Sequence, residues 1–556
     1  MFLIQKLTMK KLISLFITLL SVSHLSAQEK GLDQTIDEAF QPISDFFSSV
    51  VFFEVMGYPF VILLLVGSAL FFTLYFGFPN IRYFWTSINV VRGKYDEIEK
   101  SDSESEDGEV SHFQALATAV SGTVGNGNIA GVALAIALGG PGATFWMIIC
   151  GLLGMSTKFV ECTLGVHYRD VDEDGVVYGG PMYYISKGLK SKGFKTLGSV
   201  AAALFAIFCI GGSFGGGNAA QSNQAAEVIE NLFMIESSTS SGAIIGLIMA
   251  LIVGLIIIGG IKRIASVTEK VVPFMALLYL LACVYILAIN YDFLDNAISL
   301  IISEAFNPKA IGVGGIIGVL MVGFKRAAFS NEAGAGSASI AHSAVKTKYS
   351  ASEGLVALLE PFIDTVVICT MTALVIITFN NSDIDNQQFT FGDMTKFENV
   401  EFIDINDDGE KEYVMKIENA KGEIVYEKVK GKVLIEGKLE EGAGITQKAF
   451  AKYIPFSEIF LTIAVFLFAI STMISWSYYG LQSWKYLFGR GKAADMTYKV
   501  LFLMFVVIGA AASMDSIWAF SDAMIFAMVF PNMVGLYFLF PIVKEQLKKY
   551  LEAIKN

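Results

Sequence analysis

Apolar residues run along this chain in long stretches separated by short polar ones. Val50 to Gly77 is the first such stretch after the N-terminal region, and further ones follow near 113–138, 143–167, 197–226, 242–261, 271–290, 312–342, 354–379, 454–485, 497–512 and 515–541. Runs of about 18 or more apolar residues cross a hydrocarbon core about 30 Å thick as helices. The pattern therefore predicts an all-α polytopic membrane protein. Ahead of these runs, Lys6, Lys10 and Lys11 precede apolar Leu12 to Leu20, and Leu25-Ser26-Ala27 places a small residue before Gln28. That order of charge, apolar run and small residue predicts an export signal over 1–27, with an uncleaved extra helix as the alternative.

The short loops that alternate onto one side carry the basic residues: Arg82, Arg92 and Lys94; Arg169, Lys187, Lys190, Lys192 and Lys195; Lys262 and Arg263; Lys346 and Lys348; Arg490 and Lys492; then Lys544, Lys548 and Lys549. Basic loops stay on the cytoplasmic side. With the mature N-terminus outside and the C-terminus inside, the number of crossings is odd, and about eleven satisfies this. The expected location is a bacterial inner membrane. The expected division is an N-terminal helix with an acidic linker at 28–112, seven core helices over 113–379, an outer insert at 380–453, three core helices over 454–545 and a tail at 546–556.

Composition sharpens this picture. Of 556 residues, 54% are hydrophobic and only 17% charged, which excludes a water-soluble fold of ordinary make-up. The formal net charge of -12 argues against nucleic acid as a partner, since phosphate binding needs a basic face. Much of the acidity is local, in Asp96 to Glu109 and in the polar stretch from Asn380 to Lys452. Within that stretch Glu423 to Tyr426 and Lys432 to Glu436 have strand length and are separated by glycine, predicting a β-rich insert. Asp404 to Gly409 matches the start of a calcium loop, but Met415 stands where a bidentate Glu belongs, which favours an acidic turn without metal. The five cysteines lie singly in apolar segments and read as packing residues.

Two apolar helices are interrupted by residues that membrane packing does not require. Ser121 to Asn128 reads SGTVGNGN, and Phe329 to Gly336 reads FSNEAGAG. Each glycine weakens a helix by about 1 kcal/mol relative to alanine, so local unwinding is favoured there. Backbone unwound in a membrane must be satisfied by protein, water or ligand. If 113–138 is the first of ten core helices, 312–342 is the sixth. Gly-interrupted helices at corresponding places in two halves point to a transporter site built on inverted repeats. Half-helix N-termini there suit a carboxylate, and freed carbonyls suit a cation. The third helix adds Gly211 to Asn218 with Gln221, Asn223 and Gln224, and the eighth adds Ser471, Thr472, Ser475 and Trp476. Glu332 has two readings, a functional carboxylate or a tie for the broken backbone, and Asp364 is intramembrane without an assigned role. Lys325 and Arg326, just before the second break, read as a paired vestibule element. No nucleophile and base pair, zinc motif or phosphate loop is present, so an enzyme is not expected; a channel or receptor is the remaining rival.

Gly122 to Val132 (GTVGNGNIAGV), Gly140 to Trp146 (GPGATFW), Gly179 to Tyr184 (GGPMYY), Gly323 to Gly336 (GFKRAAFSNEAGAG) and Ser475 to Gly480 (SWSYYG) together resemble the alanine or glycine:cation symporters, the sodium:alanine symporter family. The resemblance implies a leucine-transporter-type inverted repeat of five plus five helices with one preceding helix. It implies alternating access for small neutral amino acids, alanine or glycine, with sodium as coupling ion, no other cofactor, and the bilayer as partner. For substrate it implies Thr123, Gly125, Asn126, Gly127, Ser330, Asn331, Gly334 and Trp476. For sodium it implies the backbone of Gly122 and Thr123 with the hydroxyls of Ser471 and Thr472. Asn126 stands where Thr is frequent, Ile148 where a second Trp is usual, and Ala335 and Ser339 replace Leu and Pro. Proton coupling through Glu332 is the alternative.

Overall fold

The computed structural model describes residues 32–100, 108–235, 239–306, 315–381, 400–403, 412–418, 424–428, 431–435, 438–511 and 514–555. The expected export signal, half of the acidic run (101–107) and Asp404 to Gly409 lie outside the described residues.

Among those residues, seven helices are long and apolar enough to cross a membrane, and an eighth span is formed by a pair bent by 60°. The ten core helices are His112–Thr123 continued by Asn126–Gly139, Gly142–His167, Lys195–Phe233, Thr239–Ile257, Gly260–Ile289, Gly315–Asn331 continued by Ala338–His342, Ser350–Asn380, Ser457–Phe488, Lys492–Ala511 and Met514–Ala553. A preceding apolar helix, Phe60–Tyr75, packs on the second core helix, where Thr73 Oγ1 donates to Ser156 Oγ at 2.9 Å. The chain is an all-α multi-pass membrane protein.

Local chemistry sets the ends of these elements. Ser111 caps the first core helix: Gln114 N–H donates to Ser111 Oγ at 3.2 Å, and Ser111 N–H donates to Gln114 Oε1 at 3.1 Å. This reciprocal pairing satisfies amides that a helix start leaves free. The tenth helix has 40 residues, about 60 Å at 1.5 Å per residue, so it runs well past a membrane core. The tail expected from 546 onward is thus largely a continuation of that helix. Three short helices carry no long apolar run and escape a hydropathy reading: Pro181–Ser191, Tyr291–Phe306 and Ala443–Ala451. Strands Val400–Ile403, Glu412–Glu418 and Ile424–Lys428 form one antiparallel sheet, and Val433–Ile435 pairs with Lys438–Glu440.

Packing relates the two halves of the core. The first helix packs on the fifth, and the sixth on the tenth; the second meets the sixth, and the seventh meets the first. The third meets the tenth, and the eighth meets the fifth; the fourth meets the eighth, and the ninth meets the third. The third and eighth pack on each other, as do the fourth and ninth. Adding or subtracting five thus carries each of the first eight contacts onto another and the last two onto themselves. Because five crossings is an odd number, the second half enters from the side opposite to the first, and the repeat is inverted.

Basic loops gather at one end. Arg490 Nη2 and Lys187 Nζ reach Asp170 at 3.0 and 2.5 Å, and Arg169 donates to the carbonyls of Ser343, Val345 and Thr347. Burial alone would raise the Asp170 carboxyl, but the hydrogen bonds and charges of Lys187 and Arg490 outweigh it and hold the group below its ordinary value. A lowered carboxylate stabilises the fold above its unfolded pKa and loses that contribution as pH falls through the folded one. Asp170 is 40% exposed at its side chain, so screening limits the gain. Asp170→Asn is expected to lower thermal stability in detergent by under about 1 kcal/mol and to flatten the acid side of the stability profile; an unchanged acid limb would remove this clamp from the account.

Candidate substrate and cation site

Both breaks lie at buried positions. The first core helix ends at Thr123; Val124 and Gly125 are extended, and a single 3-10 turn over Asn126–Asn128 leads into the second segment. Gly125 N–H donates to Asn128 Oδ1 at 2.8 Å, and Asn126 N–H donates to Gln221 Oε1 at 3.2 Å. Side-chain amides thereby take the place of the missing helical carbonyls. A methyl group on Gly125 would stand 2.5 Å from Thr472 Oγ1 and 3.2 Å from Gln221 Oε1, so the backbone must come this close without a side chain.

The second break follows Asn331. Glu332 adopts the left-handed region at φ 54°, which a non-glycine residue enters only when held there. It is held at both carboxylate oxygens: Trp476 Nε1 donates to Oε1 at 3.0 Å, and Ser337 donates to Oε2. Gly334, at φ 97°, packs against Leu65 of the preceding helix and Met533 of the tenth, and its carbonyl accepts from Asn532 Nδ2 at 2.9 Å. Asn331 donates to Thr365 Oγ1 at 2.9 Å and accepts from Ala333 N–H at 3.0 Å.

Asp364 joins the two breaks. Its Oδ1 accepts from Asn128 Nδ2 at 2.6 Å, and its Oδ2 accepts from Ser330 Oγ at 2.9 Å and Thr365 Oγ1 at 2.7 Å. Asp364 sits in a π-helical stretch, Phe362–Cys369, whose wider turn directs the side chain between the first and sixth helices. The third helix carries the other such stretch, Gly215–Ala219, beside the cavity.

Between the breaks lies a tight cavity of ≈ 10 Å³, room for about one water molecule. Its wall consists of Gly122, Thr123 and Gly127 from the first helix, Gly216 and Gln221 from the third, Phe329, Ser330 and Glu332 from the sixth, Thr472 and Trp476 from the eighth, and Ile525 from the tenth. Six of the residues assigned to substrate or sodium from the sequence meet here, Gly122, Thr123, Gly127, Ser330, Thr472 and Trp476, together with the further candidates Gly216, Gln221 and Glu332. Gly125, Asn126, Asn331 and Gly334 lie just behind the wall and shape the breaks. Asn126 Oδ1 and Thr472 Oγ1 are buried without a hydrogen-bonding partner. Ser471 is turned elsewhere: its hydroxyl donates to Phe468 O at 2.9 Å and lies 3.6 Å from Met275 Sδ, while its carbonyl accepts from Ser121 Oγ at 2.7 Å. The two hydroxyls are successive on a helix, which sets them about 100° apart. Thr123 Oγ1 contacts the carbonyls of Ala119 and Val120 at 3.3 Å each.

Other residues take roles the sequence left open. Lys325 and Arg326 pair with Asp522 at 2.9 and 3.3 Å. Gly212 and Gly217 of the third helix face the Trp476 ring, so those glycines make room for the indole. Gly151 and Gly154 pack on Thr365 and Ala333. Cys369 lies 3.2 Å from Asn128 Nδ2, and all five cysteines are buried and free. Asn532, which serves Gly334, and Ile525, which closes the cavity together with Phe329, gave no signal in the pattern of the breaks. Asn532 was detectable only as a polar residue inside an apolar run.

The sequence profile of the sodium:alanine symporter family matches residues 42–399 and 424–556. The chain belongs to this family. It is a cation-coupled amino-acid transporter and not an enzyme. Among its relatives, the sodium/alanine symporter AgcS of Methanococcus maripaludis is 35% identical over 90% of this chain and 95% of its own. The probable sodium/glutamine symporter GlnT of Bacillus subtilis is 30% identical over 89% and 88%, and the sodium/proton-dependent alanine carrier protein of Bacillus sp. (strain PS3) is 30% identical over 80% and 89%. A crystal structure of MhsT in complex with L-phenylalanine aligns with a TM-score of 0.40 at 13% identity, over 81% of this chain and 99% of that one.

In this symporter-family chain, Gly125→Leu is expected to lower uptake about 100-fold, the scale on which a displacement of about 1 Å at a reacting geometry acts. Insertion should persist, read as an unchanged monodisperse peak in detergent; uptake at the parent rate would exclude Gly125 as a point of close approach. Asp364→Ala leaves three donors at the breaks without their acceptor, at about 1–3 kcal/mol for each buried group left unpaired. Its thermal midpoint should fall together with uptake, and a loss of uptake at unchanged stability would show that Asp364 does more than tie the breaks.

Proposed function

We propose that this transporter imports small neutral amino acids, alanine or glycine, together with sodium, by alternating access about the cavity between the two breaks. The observation that carries this reading is the pair of buried, unpartnered oxygens, Thr472 Oγ1 and Asn126 Oδ1, at the level where both helices unwind. Hard oxygen donors suit a hard cation, and Gly122 and Thr123 border the same space as Thr472. Ser471 enters the cation shell only after rotation of its hydroxyl away from Phe468.

Substrate size follows from the walls. Phe329, Trp476 and Ile525 close on a space that holds about one water, so a substrate must displace these walls, and a short side chain asks for the least displacement. The amino acid's carboxylate is served by amides freed at a helix break, and its ammonium by Ser330 and the acceptor oxygens opposite. Support comes also from relatives named as alanine carriers. One relative is named for glutamine, and Asn126 is the residue of this chain in a position to alter substrate choice. Import, with the N-terminus outside and the C-terminus in the cytoplasm of a bacterial inner membrane, rests on the basic loops gathered at one end.

Thr472→Ala in proteoliposomes is expected to raise the sodium concentration for half-maximal alanine uptake about tenfold, equivalent to ~1.4 kcal/mol. Unchanged sodium dependence would remove Thr472 from the shell. A panel of glycine, alanine, serine and glutamine should show the first two taken up fastest in a sodium gradient; preference for glutamine would overturn the size argument, and absence of accumulation would favour a channel.

A further inference from the structure

Away from the cavity, buried ionisable side chains form a ladder. Lys158 Nζ lies 3.0 Å from Glu360 Oε1, and Glu360 Oε2 lies 3.6 Å from His342 Nε2. His342 Nδ1 is 2.5 Å from Glu353 Oε1, Glu353 Oε2 contacts His112 Nδ1, and His112 Nε2 is 2.6 Å from Glu99 Oε2. Lys158, Glu360, His342 and Glu353 are fully buried, and His112 and Glu99 nearly so. Glu99 and His112 reach the wall of an open cavity of ≈ 1040 Å³ that Lys262 and Lys346 also line. At the deep end, Lys158 stands one turn beyond Gly154, which packs on Ala333 of the second break. The ladder therefore leads from the level of the substrate site to solvent.

Packing alone does not explain this set. Apolar residues of similar volume stabilise a core at least as well as buried ion pairs. Each imidazole here is placed between two carboxylates, so it can accept a proton on one nitrogen and release one from the other. Only one link is longer than a hydrogen bond, between His342 Nε2 and Glu360 Oε2, and neither of these atoms has another partner. His342 ends the sixth helix beyond the break, whereas Glu360 belongs to the seventh, so this link changes length whenever the broken helix moves.

We propose that this ladder carries a proton between the second break and the open cavity during transport, on a path separate from the sodium site. The proposal rests on the transport reading above. A proton on Glu360 Oε2 passes to His342 Nε2, and His342 releases its Nδ1 proton to Glu353 Oε1. Glu353, protonated at Oε2 beforehand, gives up that proton to His112 Nδ1 as it gains one at Oε1 and later rotates to reset; His112 releases its Nε2 proton to Glu99 Oε2, and Glu99 yields one to water. One proton enters and one leaves, only N–H and O–H bonds change, and the imidazoles finish with their nitrogens exchanged until the rings reset. Other groups set the local field: Glu161, Glu332 and Cys162 act at the Lys158 and Glu360 end. Thr347 Oγ1 and Tyr550 OH donate to Glu99 at 3.0 and 2.6 Å, and Arg169 binds the carbonyls of Ser343, Val345 and Thr347.

The test uses the full-length protein in proteoliposomes with an entrapped pH-sensitive dye and sodium equal on both sides. Labelled alanine uptake is measured first, and a parent protein without uptake sinks the transport reading, not the ladder. With uptake present, alanine should change the lumen pH. Glu353→Gln should cut that signal about 100-fold while alanine exchange stays within about twofold. Uptake by the parent without a pH change overturns the proposal, as does a retained signal in Glu353→Gln. Equal loss of exchange and signal also overturns it, because the ladder is then a clamp on helix ends. If Glu353→Gln fails to insert, His342→Gln, which keeps hydrogen-bonding reach, is put through the same pair of measurements: loss of the pH signal with exchange kept supports the ladder, and any other result overturns it.

Discussion

A helix interrupted inside a bilayer releases amides and carbonyls that lipid cannot satisfy, and each must find a partner in the protein. Here the backbone partners are side-chain amides, from the broken helices themselves and from their neighbours, and carboxylates hold the surrounding side chains at the same level. Gln221 and Asn128 serve the first break, while Asn331, Asn532 and Glu332 serve the second. Asp364 accepts from both and makes the two interruptions one unit. The close glycine contacts, the indole of Trp476 and the two π-helical stretches are arranged around that requirement.

Carboxylates in the core divide their work by position. Glu332 spans its own break from Trp476 to Ser337, so it fixes the left-handed turn while one edge borders the cavity. Asp364 is saturated by three side-chain donors, which suits a fixed tie. Glu353, by contrast, is shared by two imidazoles that belong to different helices. A group with fixed donors holds geometry, and a group between titratable partners is free to exchange protons.

Much of this was legible in the chain before folding. The apolar runs gave the helices, and the glycine-rich interruptions at Ser121 to Asn128 and Phe329 to Gly336 gave both breaks, because these signals are local. Short amphipathic helices such as Pro181–Ser191 were missed because they lack a long apolar run. Six of the residues assigned to substrate or sodium line the cavity, whereas the facing of Ser471 toward Phe468 depends on helix rotation, which spacing does not fix. The ladder was hidden for another reason. His112 and His342 lie far apart in the chain, and only tertiary packing places Glu353 between them.

The exchangeable halves bear on motion. If a contact between two helices has a counterpart five positions along, then every gap on one face has a closed equivalent on the other. Dressing each half in the backbone of its twin yields a second, mirror-ordered conformer from the same sequence, with the passage open on the reverse face. Sequence differences between the twins then become a bias between two resting states. The Pro181–Ser191 and Ala443–Ala451 connectors, which occupy equivalent places after the second and before the eighth helix, are where such a bias is most directly written.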